Sequence, residues 1–217
     1  AEKVIAKTAH INAEQALANA AVTLLKNKEL LPLNAPEVTK LHFVVANHQE
    51  LLALQYASNQ VLSKLLPAKQ FAELNISYFV ADDNTVDENA IKQIKAADVV
   101  FATLDIKMAS LVDLGGMDDL TPSYGSKALQ QQKLTYASVL KQKLSLANEL
   151  QTPAILIAKG SPFLVEEYSK LAKAVILNFD DRIYSDKDQN VISPGFNASL
   201  AVIFNQAEAK GKLPVSL

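Results

Sequence analysis

The sequence predicts an α/β fold: an open, doubly wound, mostly parallel sheet of about five or six strands with helices on both faces. Two observations predict it. Five short runs, Leu41–Ala46, Ile76–Val80, Asp98–Leu104, Pro153–Ala158 and Ala174–Phe179, are almost continuously apolar rather than alternating. That is the pattern of strands covered on both faces, as in a parallel sheet between helical layers. Between these runs lie longer segments of helical period with their own start and stop signals. Strand and helix in alternation, joined by right-handed crossovers, give a three-layer sandwich of flavodoxin-like type.

The elements follow in order. Asn12 with Gln15 three residues on resembles a capping box, and Ala13, Leu17, Ala20 and Leu24 recur on one face, so a lead-in helix is expected over Asn12–Asn27. Its packing face on the domain should be Ala16, Leu17, Ala20 and Leu24. After the first strand, Leu51, Leu54, Val61, Leu62 and Leu65 form a helical stripe that Pro67 ends. Thr85 and Glu88 read as a second capping box ahead of Ile91 and Ile94. Gly125 and Ser126 open a long helix with Leu129, Leu140, Leu144 and Ala147 inward. Ser161-Pro162 and Ser193-Pro194 each read as an N-cap followed by proline at the first helical position. A short terminal strand is expected over Leu213–Leu217.

Composition narrows the function classes. The chain has 217 residues, 21 basic and 23 acidic side chains, and a net charge of -2. Such a balance offers no basic stripe for nucleic acid. No cysteine is present, which removes thiol catalysis and Cys-ligated zinc. His10, His42 and His48 are read as structural histidines, so no metal and no cofactor is expected. With six glycines there is neither a GxGxxG nor a GxxxxGK[ST] phosphate loop, and no GxSxG elbow. No apolar run reaches the length of a membrane span. The opening residues, AEKVIAKTAH, have no signal-peptide core. The chain is therefore cytosolic or has lost a leader, and a periplasmic or extracellular setting is favoured.

In open parallel sheets, ligands sit beyond the C-terminal ends of the strands, and three loops there hold candidates. Asp105–Tyr124 is long for a strand-to-helix connection and carries Asp118, Asp119 and Tyr124. Its paired carboxylates suit acid/base work or a cation, or simply a solvated turn. The second loop follows Ala174–Phe179 and holds Arg182, the single arginine against twenty lysines. A guanidinium gives a rigid donor fork for carboxylates or vicinal hydroxyls. Asp180, Asp181 and Asp186 beside it offer either support or a local ion pair. The third loop, Lys159-Gly160-Ser161-Pro162, sets Ser161 at a helix start, where free N–H groups stabilise anions or hydroxyls.

Two further segments carry a resemblance. Val22–Leu33, VTLLKNKELLPL, resembles the linker-and-entry motif of glycoside hydrolase family 3, and Ala198–Leu217, ASLAVIFNQAEAKGKLPVSL, resembles the closing helix and strand of that family's second domain. Ala97–Val100 and Thr152–Leu164 match its third strand and its strand–GxP–helix corner. The likeness runs from Asn12 to Leu217 in order. It implies a lead-in helix and linker over residues 1–35, coming from an absent N-terminal TIM-like barrel, and the family's C-terminal α/β domain over 36–217.

The same resemblance implies a β-glycosidase acting on a carbohydrate substrate, whose aspartate nucleophile sits on the barrel and not in this chain. Asp105–Tyr124 contains no Glu, where the β-glucosidase branch places an acid/base. The KLPVSL ending is closer to the β-N-acetylhexosaminidase branch, in which the second domain is mainly structural. Phe204-Asn205 stands where the family has Phe-Gly. The chain thus reads as an accessory domain with no catalytic residue of its own, and Arg182, Asp118, Asp119, Tyr124 and Ser161 are its substrate-binding candidates. A stand-alone carbohydrate- or protein-binding module, with the Arg182 loop as its pocket, is the rival reading.

Overall fold

The computed structural model of the chain describes residues 8–81, 88–106, 124–160, 162 and 165–213. Five parallel strands form the sheet: β2 (Lys40–Val45), β3 (Asn75–Val80), β4 (Val99–Ile106), β5 (Ala154–Gly160) and β6 (Ala174–Asn178). A further edge strand, β1 (Thr23–Asn27), pairs antiparallel with β6, giving the order β1-β6-β5-β4-β2-β3. The chain steps from β2 outward to β3, then crosses back over β2 to β4 and continues outward. The order therefore reverses between β2 and β4, which is the switch point at which such sheets hold ligands.

Helices cover both faces as expected. On one face lie α1 (Thr8–Ala21), α2 (His48–Leu65) and α7 (Pro194–Ile203), over a core that includes Phe43, Phe101, Ile157 and Ile176. Phe101 meets Phe43 edge-on at 5.8 Å and stacks with Phe204 at 6.4 Å. On the other face lie α4 (Glu88–Ala96), α5 (Tyr124–Glu149) and α6 (Val165–Ser169), with Ile94, Leu140, Leu144 and Ala147 inward. Fully burying each Leu, Ile or Phe contributes about 1.5–3 kcal/mol, so both apolar layers are substantial. A short helix α3 (Ala68–Ala72) follows α2, and a two-stranded ribbon, β7 (Tyr184–Ser185) with β8 (Val191–Ile192), precedes α7. Among the described residues no helix is long and apolar enough to cross a membrane.

Local signals hold in several places. Ser193 caps α7, its hydroxyl accepting from the Phe196 N–H at 3.3 Å with Pro194 at the first turn. Leu66 caps α2 just before Pro67.

The lead-in helix differs from expectation. It ends at Ala21, and the residues expected to continue it, Thr23–Asn27, join the sheet instead. The break is fixed by contacts from the far end of the chain: the Gly211 N–H donates to the Val22 carbonyl at 2.8 Å. The glycine is needed there, because a Cβ at Gly211 would lie 2.2 Å from Thr23 Oγ1 and 2.4 Å from the Ala21 carbonyl. Asn12 lies inside α1 and does not cap it. The packing face is also different: Ala18 and Val22 are buried, whereas Ala16, Leu17 and Ala20 are exposed and Leu24 is 38% exposed. A one-residue shift of the inward stripe by tertiary contact overrides the apolar spacing. The expected capping box at Thr85 and the terminal strand Leu213–Leu217 fall wholly or mostly outside the described residues.

Candidate functional site

The C-terminal edge of the sheet is where the strands turn from apolar to polar. Toward the α2–α7 layer, the strands β4, β5 and β6 end in polar residues, of which Thr103, Lys159 and Asn178 are buried and Asp105, beside Lys159, is partly buried. Thr103 and Lys159 meet Glu50, in the first turn of α2. Asn47 caps that turn by accepting the Glu50 N–H at 2.9 Å, and Glu50 Oε2 reaches back to accept from the Ala46 N–H, just ahead of the cap, at 3.3 Å. The same carboxylate takes the Thr103 hydroxyl at 2.6 Å and, through Oε1, the Lys159 ammonium at 2.7 Å.

The cluster is closed on both sides. Lys159 Nζ sits 5.3 Å from the centre of the Phe196 ring, a cation–π approach. From the opposite layer, the Tyr136 hydroxyl donates to the Thr103 carbonyl at 2.6 Å. Burial, reinforced by the negative charge of Glu50, pushes the Tyr136 phenol well above its ordinary value, so it stays protonated. Glu50 is 3% exposed and both its oxygens accept hydrogen bonds from the protein, so it is turned into the fold and away from solvent. What this node does is hold the exits of β2, β4 and β5 in one arrangement at the switch point.

Asn178 extends the polar row by donating to Ser199 at 3.1 Å, and Ser199 donates to the Gly195 carbonyl at 2.8 Å. Here α7 approaches the β6 exit so closely that a Cβ at Gly195 would lie 2.5 Å from the Asp180 carbonyl and 2.7 Å from Asn178 Oδ1.

Arg182 lies beyond β6. Its Nε and Nη2 donate to the two Asp180 oxygens, each at 3.0 Å, and its Nη1 pairs with Glu14 of α1 at 3.0 Å. The hydrogen bond with Asp180 is the main cause that raises the guanidinium above its ordinary value, with Glu14 adding to it. Asp186, expected beside it, instead organises the β7–β8 turn, accepting the Asp188 and Asn190 N–H groups at 2.9 Å. Arg182 thus ties the β6 exit to the lead-in helix. Asp118, Asp119 and Ser161 lie outside the described residues, as does the Tyr124 side chain. His42 is buried in β2 with Nδ1 2.9 Å from Ser77 Oγ. Among the described residues no group of His, Cys, Asp or Glu is placed to hold a metal ion.

Sequence reasoning missed Glu50 and placed Lys159 in a loop. The signals were an Asn-x-x-Glu step straight after a strand and a lysine inside an otherwise apolar run.

Against known proteins, no family model matches the chain. It is 28% identical over 222 residues to Beta-hexosaminidase A of Pseudoalteromonas piscicida, covering all of this chain and 34% of that protein, within its C-terminal part. The chain therefore spans about a third of the length of the curated relative it matches. Among solved structures, a beta-glucosidase from Listeria innocua bound to isofagomine superposes with a TM-score of 0.59 at 14% identity, over 94% of this chain and 26% of that one. A beta-glucoside phosphorylase gives 0.54 at 15% identity, over 98% and 32%, and a b-glucosidase from Erythrobacter marinus 0.55 at 13%, over 95% and 30%. The fold is that of one part of these larger chains. The resemblance to the C-terminal domain of glycoside hydrolase family 3 is thus met in sequence by the first comparison and in fold by the others.

Proposed function

We propose that this chain is the C-terminal accessory domain of a family 3 β-glycosidase of β-N-acetylhexosaminidase type, shaping the rim of an active site whose nucleophile lies on a barrel joined ahead of it. The observation that carries the reading is the similarity along the whole chain to the C-terminal part of Beta-hexosaminidase A, about two-thirds of which has no counterpart in these residues. Retaining hydrolysis needs two carboxyl groups about 5 Å apart across the scissile bond. Glu50 is held by Lys159 and Thr103, so this carboxylate serves positioning, and the nucleophile is assigned to the barrel. The rim-forming residues would be those at the strand exits: Arg182, held by Asp180, together with Asp118, Asp119, Tyr124 and Ser161.

Residues 1–35 would form the connection to the barrel, and an exposed apolar side chain there supports that role. Leu17 is 67% exposed on α1, which is apolar area a neighbouring domain would cover.

The test is a pair of assays on aryl β-N-acetylglucosaminides and β-glucosides. The chain alone should match buffer, because it lacks a nucleophile. Joined to the N-terminal part of Beta-hexosaminidase A in place of that protein's own C-terminal part, it should restore hydrolysis lost on truncation. Turnover by the chain alone that survives repurification would overturn the reading, as would a joined protein that folds and stays inactive.

A further inference from the structure

We infer that the groove running over α7 between α1 and α2 is a binding site for a neutral oligosaccharide, separate from the strand-exit edge. The groove has a volume of about 340 Å³, with α7 as its floor, α1 and α2 as walls, and the β7–β8 ribbon closing one end.

Its lining is unusual in kind. Six carboxamides, Asn12, Gln15, Asn19, Gln60, Asn197 and Gln206, face it, together with the phenols Tyr56 and Tyr184. Lys64 is the single charged residue in the lining, and no carboxylate belongs to it. A carboxamide carries donors and an acceptor on one short arm, which matches hydroxyl groups that also donate and accept. A phosphate or a polyanion would need cations, and the groove offers one. Tyrosine presents an apolar ring with a polar tip, suited to the C–H face of a pyranose, and Val61 of α2 and Ile192 of β8 add apolar surface. The choice of saccharide over another neutral polyol rests on the glycosidase reading above.

The groove is prepared before any ligand arrives. Gln15 donates to the Pro194 carbonyl at 3.1 Å and to Asn19 at 2.9 Å, and accepts from Asn197 at 3.2 Å. The bonds to Pro194 and from Asn197 fix α1 to α7. Within the described residues no hydrogen bond engages the Asn12 or Gln60 carboxamides or the Tyr56 and Tyr184 hydroxyls, and Asn197 Oδ1 is a buried acceptor left unpartnered. The Arg182–Glu14 pair fastens the ribbon end, where Tyr184 sits, to the same helix. The α1–α7 wall of the groove is therefore fixed, while the Asn12 and Gln60 carboxamides and the two tyrosine hydroxyls stay open to a ligand.

The experiment is an NMR titration of the isotopically labelled 217-residue chain with N,N′,N″-triacetylchitotriose and with cellotriose. Saturable shifts are expected in the side-chain amides of Gln60 and Asn12 and the rings of Tyr56 and Tyr184, with a Kd of about 1 mM or below. Gln60→Ala and Tyr184→Ala should each weaken binding by about fivefold with Tm retained, since Gln60 is exposed and Tyr184 only half-buried. Absence of saturable shifts, or shifts confined to residues around Asn178 and Arg182, would overturn the site. So would loss of the sugar response in the barrel-joined protein with the same amides protected, which would make the groove a domain interface. Hydrolysis by that joined protein is scored separately, so the accessory-domain reading can fail or stand independently of the groove.

Discussion

Glu50 and Lys159, 109 residues apart in the chain, meet at 2.7 Å with side-chain exposures of 5% and 3%. The pair is an ion pair inside the protein, placed at the C-terminal edge of the sheet beside the β2–β4 switch point. Its desolvation cost is offset only while both partners and their hydrogen bonds are present.

Breaking one side should therefore cost much more than removing both. Glu50→Leu or Lys159→Met alone leaves an uncompensated buried charge, and each should lose about 3–5 kcal/mol of stability. The double variant Glu50→Leu/Lys159→Met should recover most of that loss. Urea unfolding of the four proteins measures it, and simple additivity of the two losses would contradict the pairing.

Gly211→Ala should destabilise by about 1–3 kcal/mol, the usual cost of forcing atoms into a packed site. The atoms its Cβ would strike are the Ala21 and Val22 carbonyls, at 2.4 and 2.7 Å, besides Thr23 Oγ1. Backbone cannot swing aside as a side chain does. A thermal melt beside Gly195→Ala, which meets the Asp180 carbonyl at 2.5 Å, checks both sites at once; unchanged Tm in both would contradict the tight approach.

Asp98 carries a pH prediction. Partial burial pushes its carboxyl up, but hydrogen bonds from the Thr39 and Lys40 N–H groups, at 2.8 Å each, outweigh this and hold it below its ordinary value. A folded-state value below the unfolded one, about 3.9, means the contribution is fully present above that pH. It is lost as pH falls through the folded value. The stability gap between the parent and Asp98→Ala should be constant from pH 7 to about 5 and narrow below about pH 4. A gap that widens in acid would reverse the sign and remove the argument.

Arg182→Lys keeps the charge but not the planar fork that grips both Asp180 oxygens. The Arg182 side chain is 57% exposed, so the loss of stability in the chain alone should stay under about 1 kcal/mol. In the barrel-joined protein, kcat/KM should fall, because the proposal sets the guanidinium on the rim; an unchanged value would limit its work to tying Asp180 to Glu14. Measuring both quantities on one variant separates the two roles.

What the sequence determined by itself is the layered fold and its parallel strands. An apolar run such as Ala154–Ala158 has nowhere to put its side chains except between two helical layers, and a cap such as Ser193 acts on a backbone N–H three residues away. Both are local physics. The Arg182–Asp180 half of the β6 exit was legible for the same reason, with the partners two residues apart. Tertiary structure decided the rest. Val22–Asn27 has helical spacing, yet β6 on one side and Gly211 on the other draw it into the sheet. Lys159 reaches Glu50, and Arg182 reaches Glu14, only because crossovers bring strands and helices distant in sequence to one edge. Propensity is a weak preference of under about 1 kcal/mol per residue. A strand's worth of paired backbone, or a buried charge needing its counterion, outweighs it.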